Sequence, residues 1–184
     1  MAKNLKEIKS IIIDTNVLFS SLVKEEGYTQ AILSILLSQK DIKILVPNSI
    51  KDEIALHIHE ISRKSGLPVK VVGELVGKFF KYADVVREEY FSEEIIDALE
   101  LVSDKYDAPF AGLALKNSPS IILTYNKRHF REEKLNERKV KTLTPSEFVD
   151  YLNMELKTNK KVKRKQGILN LMSGLLLMKK AGRI

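Results

Sequence analysis

Short apolar runs alternate with amphipathic stretches along the chain. The runs "IIID" (11–14), "IKILVP" (42–47) and "PSIILTYN" (119–126) have the length of buried strands. Between them, apolar residues recur at spacings of three and four, which predicts helices. Strands that alternate with helices are typical of an α/β fold with a mostly parallel sheet. Ligand sites of such sheets lie beyond the carboxyl ends of the strands, where polar residues follow these runs.

Local signals predict where several helices begin. Asp107 stands near the start of one helix, with Pro109 in its first turn, where the missing N–H group does no harm. Thr144 and Glu147 have the spacing of a capping box at the start of the last helix of the body. Residues 62–103 are predicted to form a helical insertion between the second and third strands.

Charge divides the chain into two parts. The 184 residues are 44% hydrophobic and 30% charged, as in a soluble globular protein, and the formal net charge is +7. Residues 157–184 hold nine basic residues and no acid, which leaves 22 basic against 24 acidic residues in 1–156. We therefore expect a weakly acidic domain at 1–156, followed by a basic linker and an apolar helical tail at 157–184.

The same composition excludes several classes of protein. The absence of cysteine excludes disulfides and thiolate metal sites. The first ten residues lack the apolar core of a secretion signal, and no apolar run reaches the roughly 20 residues that a membrane helix needs. We expect a cytoplasmic protein without a membrane span.

The tail leaves two questions open. Residues 157–165, "KTNKKVKRK", could bind RNA phosphates or form a solvated linker. Residues 167–178, "GILNLMSGLLLM", could pack on the body, a second copy of the chain, a partner protein or a membrane surface. Of these, packing within a homodimer is the prediction that we favour.

Four acids could meet beyond the strand ends. Asp14 follows the first strand, Glu53 lies beside the apolar face of the second helix, and Asp104 and Asp107 precede a later helix. Clustered carboxylates repel one another, and a divalent cation relieves that repulsion. Oxygen ligands suit Mg²⁺ or Mn²⁺, which can activate water for attack on a phosphodiester. Taken singly, each acid is more simply explained as a solvated surface residue or a helix cap.

Four segments resemble, in order, the motifs of PIN-domain ribonucleases. They are "IIIDTNVLFSSL" (11–22), the acid of "SIKDEI" (49–54), "DKYDAPFAGLAL" (104–115) and "IILTYNKRHF" (121–130). The resemblance spans roughly residues 8–152 and is strongest to the PIN proteins that serve as toxins of toxin–antitoxin pairs. It implies a PIN-like α/β/α sandwich with a central parallel sheet, and a Mg²⁺- or Mn²⁺-dependent endoribonuclease.

The resemblance also implies a role for individual residues. The implied roles are metal ligation by Asp14, Glu53 and Asp107, an auxiliary catalytic role for Asp104, and hydrogen-bonded support by Asn16 and Thr124. The fourth acid of the family pattern falls at Asn126, where an amide offers an oxygen without a charge. The chain departs from the pattern there, which favours a one-metal site.

Two hypotheses of function follow, and they differ in whether Asn126 weakens the chemistry of the site. The first is a metal-dependent endoribonuclease that cleaves single-stranded RNA and, as a toxin, would be held by an antitoxin protein. The alternative is an RNA-binding or interaction protein on a PIN scaffold whose chemistry Asn126 weakens. Lys127 and Arg128 are predicted to bind substrate; together with His129 they could also balance the acids or form a solvated turn.

Overall fold

A parallel β-sheet forms the centre of the molecule. The structure is a computed structural model, and it describes residues 8–23, 29, 32–33, 36 and 42–158, with side chains as far as residue 152. The strands are β1 (Ser10–Ile13), β2 (Lys43–Pro47), β3 (Asp84–Val86), β4 (Ser120–Leu123) and β5 (Val140–Leu143). They pair in the order β3-β2-β1-β4-β5, and every pairing is parallel. The predicted α/β fold is therefore confirmed.

Helices cover both faces of this sheet. In the part of the chain that the structure describes they are α1 (Thr15–Val23), α2 (Ile50–Ser65), α3 (Val69–Phe79), α4 (Ser92–Ala98), α5 (Ala108–Lys116), α6 (Glu132–Glu137) and α7 (Pro145–Thr158). Ile11 and Ile13 of β1 pack into one core with α1, α2, α3 and α7. Ile12 faces the opposite core, which α4, α5 and α6 complete. Alternate residues of one strand thus serve two cores, as expected for an α/β/α sandwich.

Two predicted helix starts are confirmed. Asp107 is the N-cap residue of α5, and a proline occupies the first turn of that helix. At the start of α7, the backbone N–H of Glu147 donates to the Thr144 hydroxyl (3.2 Å), and the Thr144 N–H donates to Glu147 Oε2 (2.8 Å). This reciprocal pair is the predicted capping box.

Strand β3 was not predicted from the sequence, and the third strand that the sequence predicts is β4. Residues 62–103 contain the expected helices, but they also contain β3, which pairs with β2 at one edge of the sheet. Three residues are too few to establish an alternating pattern, and Asp84 at the strand start is exposed. The range is therefore a mixed segment in which α3 leads into an edge strand and then into α4.

Residues 159–184 lie outside the described part of the chain, and they include the predicted apolar helix and all of the predicted basic linker except its first two residues, Lys157 and Thr158, which end α7. The predicted boundary between a domain at 1–156 and this tail remains a prediction. None of the helices that the structure describes is long and apolar enough to cross a membrane.

Candidate metal centre

The carboxyl ends of β1 and β4 bring two polar residues together. Asp14 follows β1 and Thr124 follows β4; these neighbouring strands pair in register as far as Ile13 and Leu123. The Asp14 N–H group continues this pairing by donating to the Leu123 carbonyl oxygen at 3.0 Å. Parallel pairing therefore places side chains 110 positions apart in the sequence next to each other.

A hydrogen-bond network fixes the Asp14 carboxylate. Its Oδ2 atom accepts from Asn16 Nδ2 at 2.7 Å and from the Thr124 hydroxyl at 2.5 Å. Asn16 Nδ2 also donates to Thr124 Oγ1 at 3.1 Å, and Asn16 Oδ1 accepts from the Tyr125 N–H at 3.0 Å. Asn16 and Thr124 thus hold Asp14 in one orientation and leave its Oδ1 atom with a single, longer bond from the Asn16 N–H (3.3 Å).

Burial makes Asp14 an unusual carboxylate. Only 4% of the residue is exposed, and this burial raises the pKa of its carboxyl to about 6. The hydrogen bonds from Thr124 and Asn16 lower the pKa, whereas the negative charges of Asp107 and Glu53 raise it. Asp14 is therefore within electrostatic reach of two other predicted ligands.

Glu53 lies in the first turn of α2, next to the buried Ile54. Burial raises the pKa of Glu53, and the charges of Asp107 and Asp104 raise it further, although His57 opposes them. The Thr15 hydroxyl also favours the charged form of Glu53, yet the pair does not reach hydrogen-bonding geometry. Thr15 Oγ1 is consequently buried without a hydrogen-bond partner among the described residues.

The end of β3 holds the start of α2 in place. The N–H groups of Asn48 and Ser49 donate to the Val86 carbonyl oxygen (2.9 Å) and to Glu88 Oε1 (2.7 Å). These two bonds satisfy backbone donors just before the helix that carries Glu53. The edge strand therefore helps to position a predicted ligand, although it contributes no ligand of its own.

Asp107 stands at the amino end of α5 and contacts a histidine. His129 Nδ1 lies 2.8 Å from Asp107 Oδ2. Burial raises the pKa of Asp107; the hydrogen bond and charge of His129 lower it, and the charge of Asp104 raises it. Asp104 Oδ1 accepts from the Tyr106 N–H at 3.0 Å.

A short antiparallel bridge explains why His129 lies there. Val102 pairs with Phe130, the Ser103 N–H donates to the His129 carbonyl oxygen (2.7 Å), and the Arg131 N–H donates to the Leu101 carbonyl oxygen (2.8 Å). This pairing brings His129 to the segment that carries Asp104 and Asp107. Donor atoms of Asp104, Asp107 and His129 all lie within 4.8 Å of one another.

The basic residues after Asn126 differ in their surroundings. Lys127 Nζ forms ion pairs with Glu147 Oε1 (2.9 Å) and Glu132 Oε1 (3.3 Å), so it joins this turn to α7 and α6. Arg128 is exposed. Asn126 donates its N–H to the Thr124 hydroxyl at 2.9 Å. Arg128 is therefore the more accessible of the two cations predicted to contact substrate.

The four predicted acids form one electrostatic group, with Asp107 at its centre. Its charge raises the pKa of both Asp14 and Glu53, and Asp104 acts on Glu53 and on Asp107 itself. Such a group fits a divalent cation, because the cation relieves the repulsion and carboxylate oxygens are the donors that Mg²⁺ and Mn²⁺ accept. The unpartnered Thr15 hydroxyl beside Glu53 supports this fit, because a hydrated cation would give it a partner.

The sequence did not identify His129 as a partner of a particular acid. Its one local signal is its place three residues after the expected fourth acid, at Asn126. The contact with Asp107 depends on the bridge between Val102 and Phe130, which no local pattern predicts. His57 contacts Phe19 and Glu60, and His59 is exposed.

Comparison with known proteins agrees with this fold. Residues 12–127 match the family model of the PIN domain, and the chain therefore belongs to the PIN domain family. No curated protein matched the chain closely enough to count as a relative.

Two solved structures share the fold at low sequence identity. PAE2754 from Pyrobaculum aerophilum is 13% identical with a TM-score of 0.54, and the match covers 83% of this chain and 99% of that one. VapBC2 from Rickettsia felis, solved bound to a DNA fragment from its promoter, is 12% identical with a TM-score of 0.50; here the match covers 73% of this chain and 98% of the other. At these identities the similarity establishes the fold.

Proposed function

We propose that this chain is a divalent-metal-dependent endoribonuclease that hydrolyses phosphodiester bonds of single-stranded RNA. Asp14, Glu53 and Asp107 would hold Mg²⁺ or Mn²⁺, with Asp104 as an auxiliary acid. One observation carries the proposal: acids from separate segments of the chain lie within electrostatic reach of one another. The charge of Asp107 raises the pKa of both Asp14 and Glu53, and a donor atom of Asp107 lies within 4.8 Å of one of Asp104. Membership of the PIN family and the donor chemistry agree with it.

The residues around the acids would divide the work. Asn16 and Thr124 hold Asp14 in one orientation, so that it is preorganised for ligation. Arg128, which is exposed, would contact substrate phosphate, whereas Lys127 pairs with Glu147 and joins its turn to α7. When bound, the cation would supply the polarisation of a water molecule and the neutralisation of phosphate charge.

The test is cleavage of labelled single-stranded RNA with Mn²⁺, with Mg²⁺ and with excess EDTA. We expect cleavage only with added metal, and a loss of at least about 100-fold in Asp14→Asn and Glu53→Gln. Asp52→Asn is the matched control, because Asp52 is an exposed acid directly beside Glu53 in α2. Full activity of Asp14→Asn, or cleavage that persists in EDTA, would contradict the proposal.

We further propose that the chain acts in the cytoplasm as the toxin of a toxin–antitoxin pair, and that it forms a homodimer. The resemblance of its motifs to PIN toxins and its similarity in fold to VapBC2 support an antitoxin partner. The test is co-expression with the product of a small neighbouring reading frame. Co-purification and relief of growth inhibition are expected, and growth unaffected by the chain alone would count against a toxin.

The amide at position 126 favours one alternative, an RNA-binding protein of the PIN family with weakened chemistry. It predicts RNA binding that weakens with salt but leaves no metal-dependent product. The cleavage assay with Mn²⁺ and EDTA separates it from the nuclease.

A further inference from the structure

His129 follows three residues after Asn126, the position of the fourth acid in the family pattern. Asn126 offers an uncharged amide, but the segment that begins three residues later pairs antiparallel with Leu101–Ser103. That pairing sets the His129 ring against Asp107, and a hydrogen bond of 2.8 Å joins them. A side chain of a different chemical type thus stands close to the acids, and a nitrogen donor binds a different range of cations from a carboxylate.

We propose that Asp104, Asp107 and His129 form a mixed carboxylate–imidazole cation subsite that selects a transition ion such as Mn²⁺ over Mg²⁺. The proposal rests on the proposed function only in treating Asp107 as a metal ligand. Asp107 would then be shared between this subsite and the site formed with Asp14 and Glu53.

The spacing of the three side chains suits a single ion. One donor atom from each lies within 4.8 Å of the others. Two donors at about 2.1–2.2 Å from one ion are at most about 4.4 Å apart, so small side-chain rotations bring the three into range. Asp107 and His129 keep 13% and 24% of their side chains exposed, which leaves a path for an ion from solvent.

A second observation concerns Glu53, the acid on which both Asp104 and Asp107 act. Thr15 is 4% exposed and its hydroxyl has no hydrogen-bond partner among the described residues. It lies against Glu53, whose charge both Asp104 and Asp107 oppose. A hydrated cation beside these acids would relieve the repulsion and offer a water to the Thr15 hydroxyl.

The nitrogen donor of His129 is what predicts a preference for Mn²⁺ over Mg²⁺. Mg²⁺ binds oxygen almost exclusively and keeps much of its water shell, whereas later divalent ions gain more from imidazole. Removing His129 should therefore weaken Mn²⁺ binding more than Mg²⁺ binding. A histidine that only orients Asp107 would affect both ions alike.

The experiment measures cation binding to the full-length chain without RNA. Free Mn²⁺ is followed by electron paramagnetic resonance, and Mg²⁺ affinity is obtained by displacement of Mn²⁺. In His129→Ala we expect Mn²⁺ affinity to fall about 10- to 100-fold and the ratio of Mn²⁺ to Mg²⁺ affinity to fall about tenfold. His59→Ala, which removes an exposed histidine of α2, should leave both unchanged.

A spectroscopic signature tests the same bond directly. Spin-echo modulation from a coordinated nitrogen is expected for Mn²⁺ bound to the wild-type chain and to His59→Ala, but not to His129→Ala. His129→Asp should bind cations without that modulation and with a lower Mn²⁺ preference. It also serves as the test variant if thermal melting shows that His129→Ala does not fold.

The outcomes separate this inference from the proposed function. If His129→Ala loses Mn²⁺ and Mg²⁺ affinity equally, or loses neither, His129 is not a nitrogen ligand and the inference is overturned. A wild-type chain that shows the nitrogen signature but cleaves no RNA would overturn the nuclease and leave the subsite standing. If cleavage requires Asp14 but does not change in His129→Ala, and no nitrogen signature is seen, the subsite would be overturned and the nuclease would stand.

Discussion

Asp14 combines near-complete burial with a charge that its proposed role requires. Thr124 and Asn16 donate to the carboxylate, but these bonds do not offset the loss of hydration, and its pKa stays at about 6 against an ordinary value of 3.8. The folded protein therefore holds a proton on Asp14 at a pH where the unfolded chain has released it. This difference links the stability of the fold to pH.

The link has a definite sign. Because the folded pKa is the higher one, the stabilisation is present below about pH 4 and is lost as the pH rises through about 6. Without metal, we expect the difference in free energy of unfolding between wild type and Asp14→Asn to shift by about 2–3 kcal/mol between pH 3.5 and 7.5, to the disadvantage of wild type. Urea unfolding in EDTA at several pH values measures it.

Metal should reverse this trend in the wild-type chain alone. A divalent cation binds the ionised carboxylates, so adding Mn²⁺ at pH 7.5 should raise the stability of wild type and have a much smaller effect on Asp14→Asn. For the pH prediction, curves of stability against pH that run parallel for wild type and Asp14→Asn without metal would contradict the raised pKa of Asp14.

Among the elements, α4 and α5 meet at a point that allows no side chain. A Cβ atom added at Gly112 would lie 2.8 Å from the Ile95 backbone nitrogen and 2.9 Å from its Cα atom. Backbone atoms cannot move aside as the end of a flexible side chain can. The close approach also matters for the site, because α5 begins directly after Asp107.

Gly112→Ala should therefore separate the two helices. We expect a loss of about 1–3 kcal/mol in the free energy of unfolding, measured with urea, together with weaker Mn²⁺ binding as Asp107 shifts. Gly77→Ala is the control, because the same atom in α3 would meet nothing within 4 Å; removing a helical glycine there should raise stability by about 0.5–1 kcal/mol. Similar effects at both positions would contradict the tight contact.

The elements also show what the sequence could and could not predict. The apolar strands, the start of α5 and the capping box of α7 are local patterns, and the structure has them where they were expected. β3 was missed because three residues with an exposed aspartate carry no periodic signal. The contact of His129 with Asp107 was missed because a bridge between residues 28 positions apart creates it.

For the whole molecule, the sequence separates an acidic body from a basic tail. A variant in which glutamine replaces five basic residues of the tail tests what this charge does. The five residues are Lys160, Lys161, Lys163, Arg164 and Lys165. This change keeps the apolar segment that follows them. It therefore tests charge alone.

If the tail binds RNA phosphates, the five-fold variant should bind RNA more weakly and with less dependence on salt. The slope of log affinity against log salt should fall by up to about 3.5, because each phosphate contact with a single strand contributes about 0.7. Fluorescence anisotropy with labelled RNA, in the Asp14→Asn background, measures it. Lys70→Gln with Lys78→Gln, two exposed lysines of α3, is the control; an unchanged slope in the five-fold variant would make the tail a solvated linker.

The order of the strands determines how much of the chain must be synthesised before the candidate site can assemble. Asp14 is completed by Thr124, 110 residues later, and both depend on β4 pairing beside β1. A ribosome therefore has to synthesise nearly 130 residues before the acids, their supporting hydroxyl and His129 can meet. Throughout that interval the unfinished copy has no assembled centre, so that copy cannot carry the proposed RNA-cleaving activity.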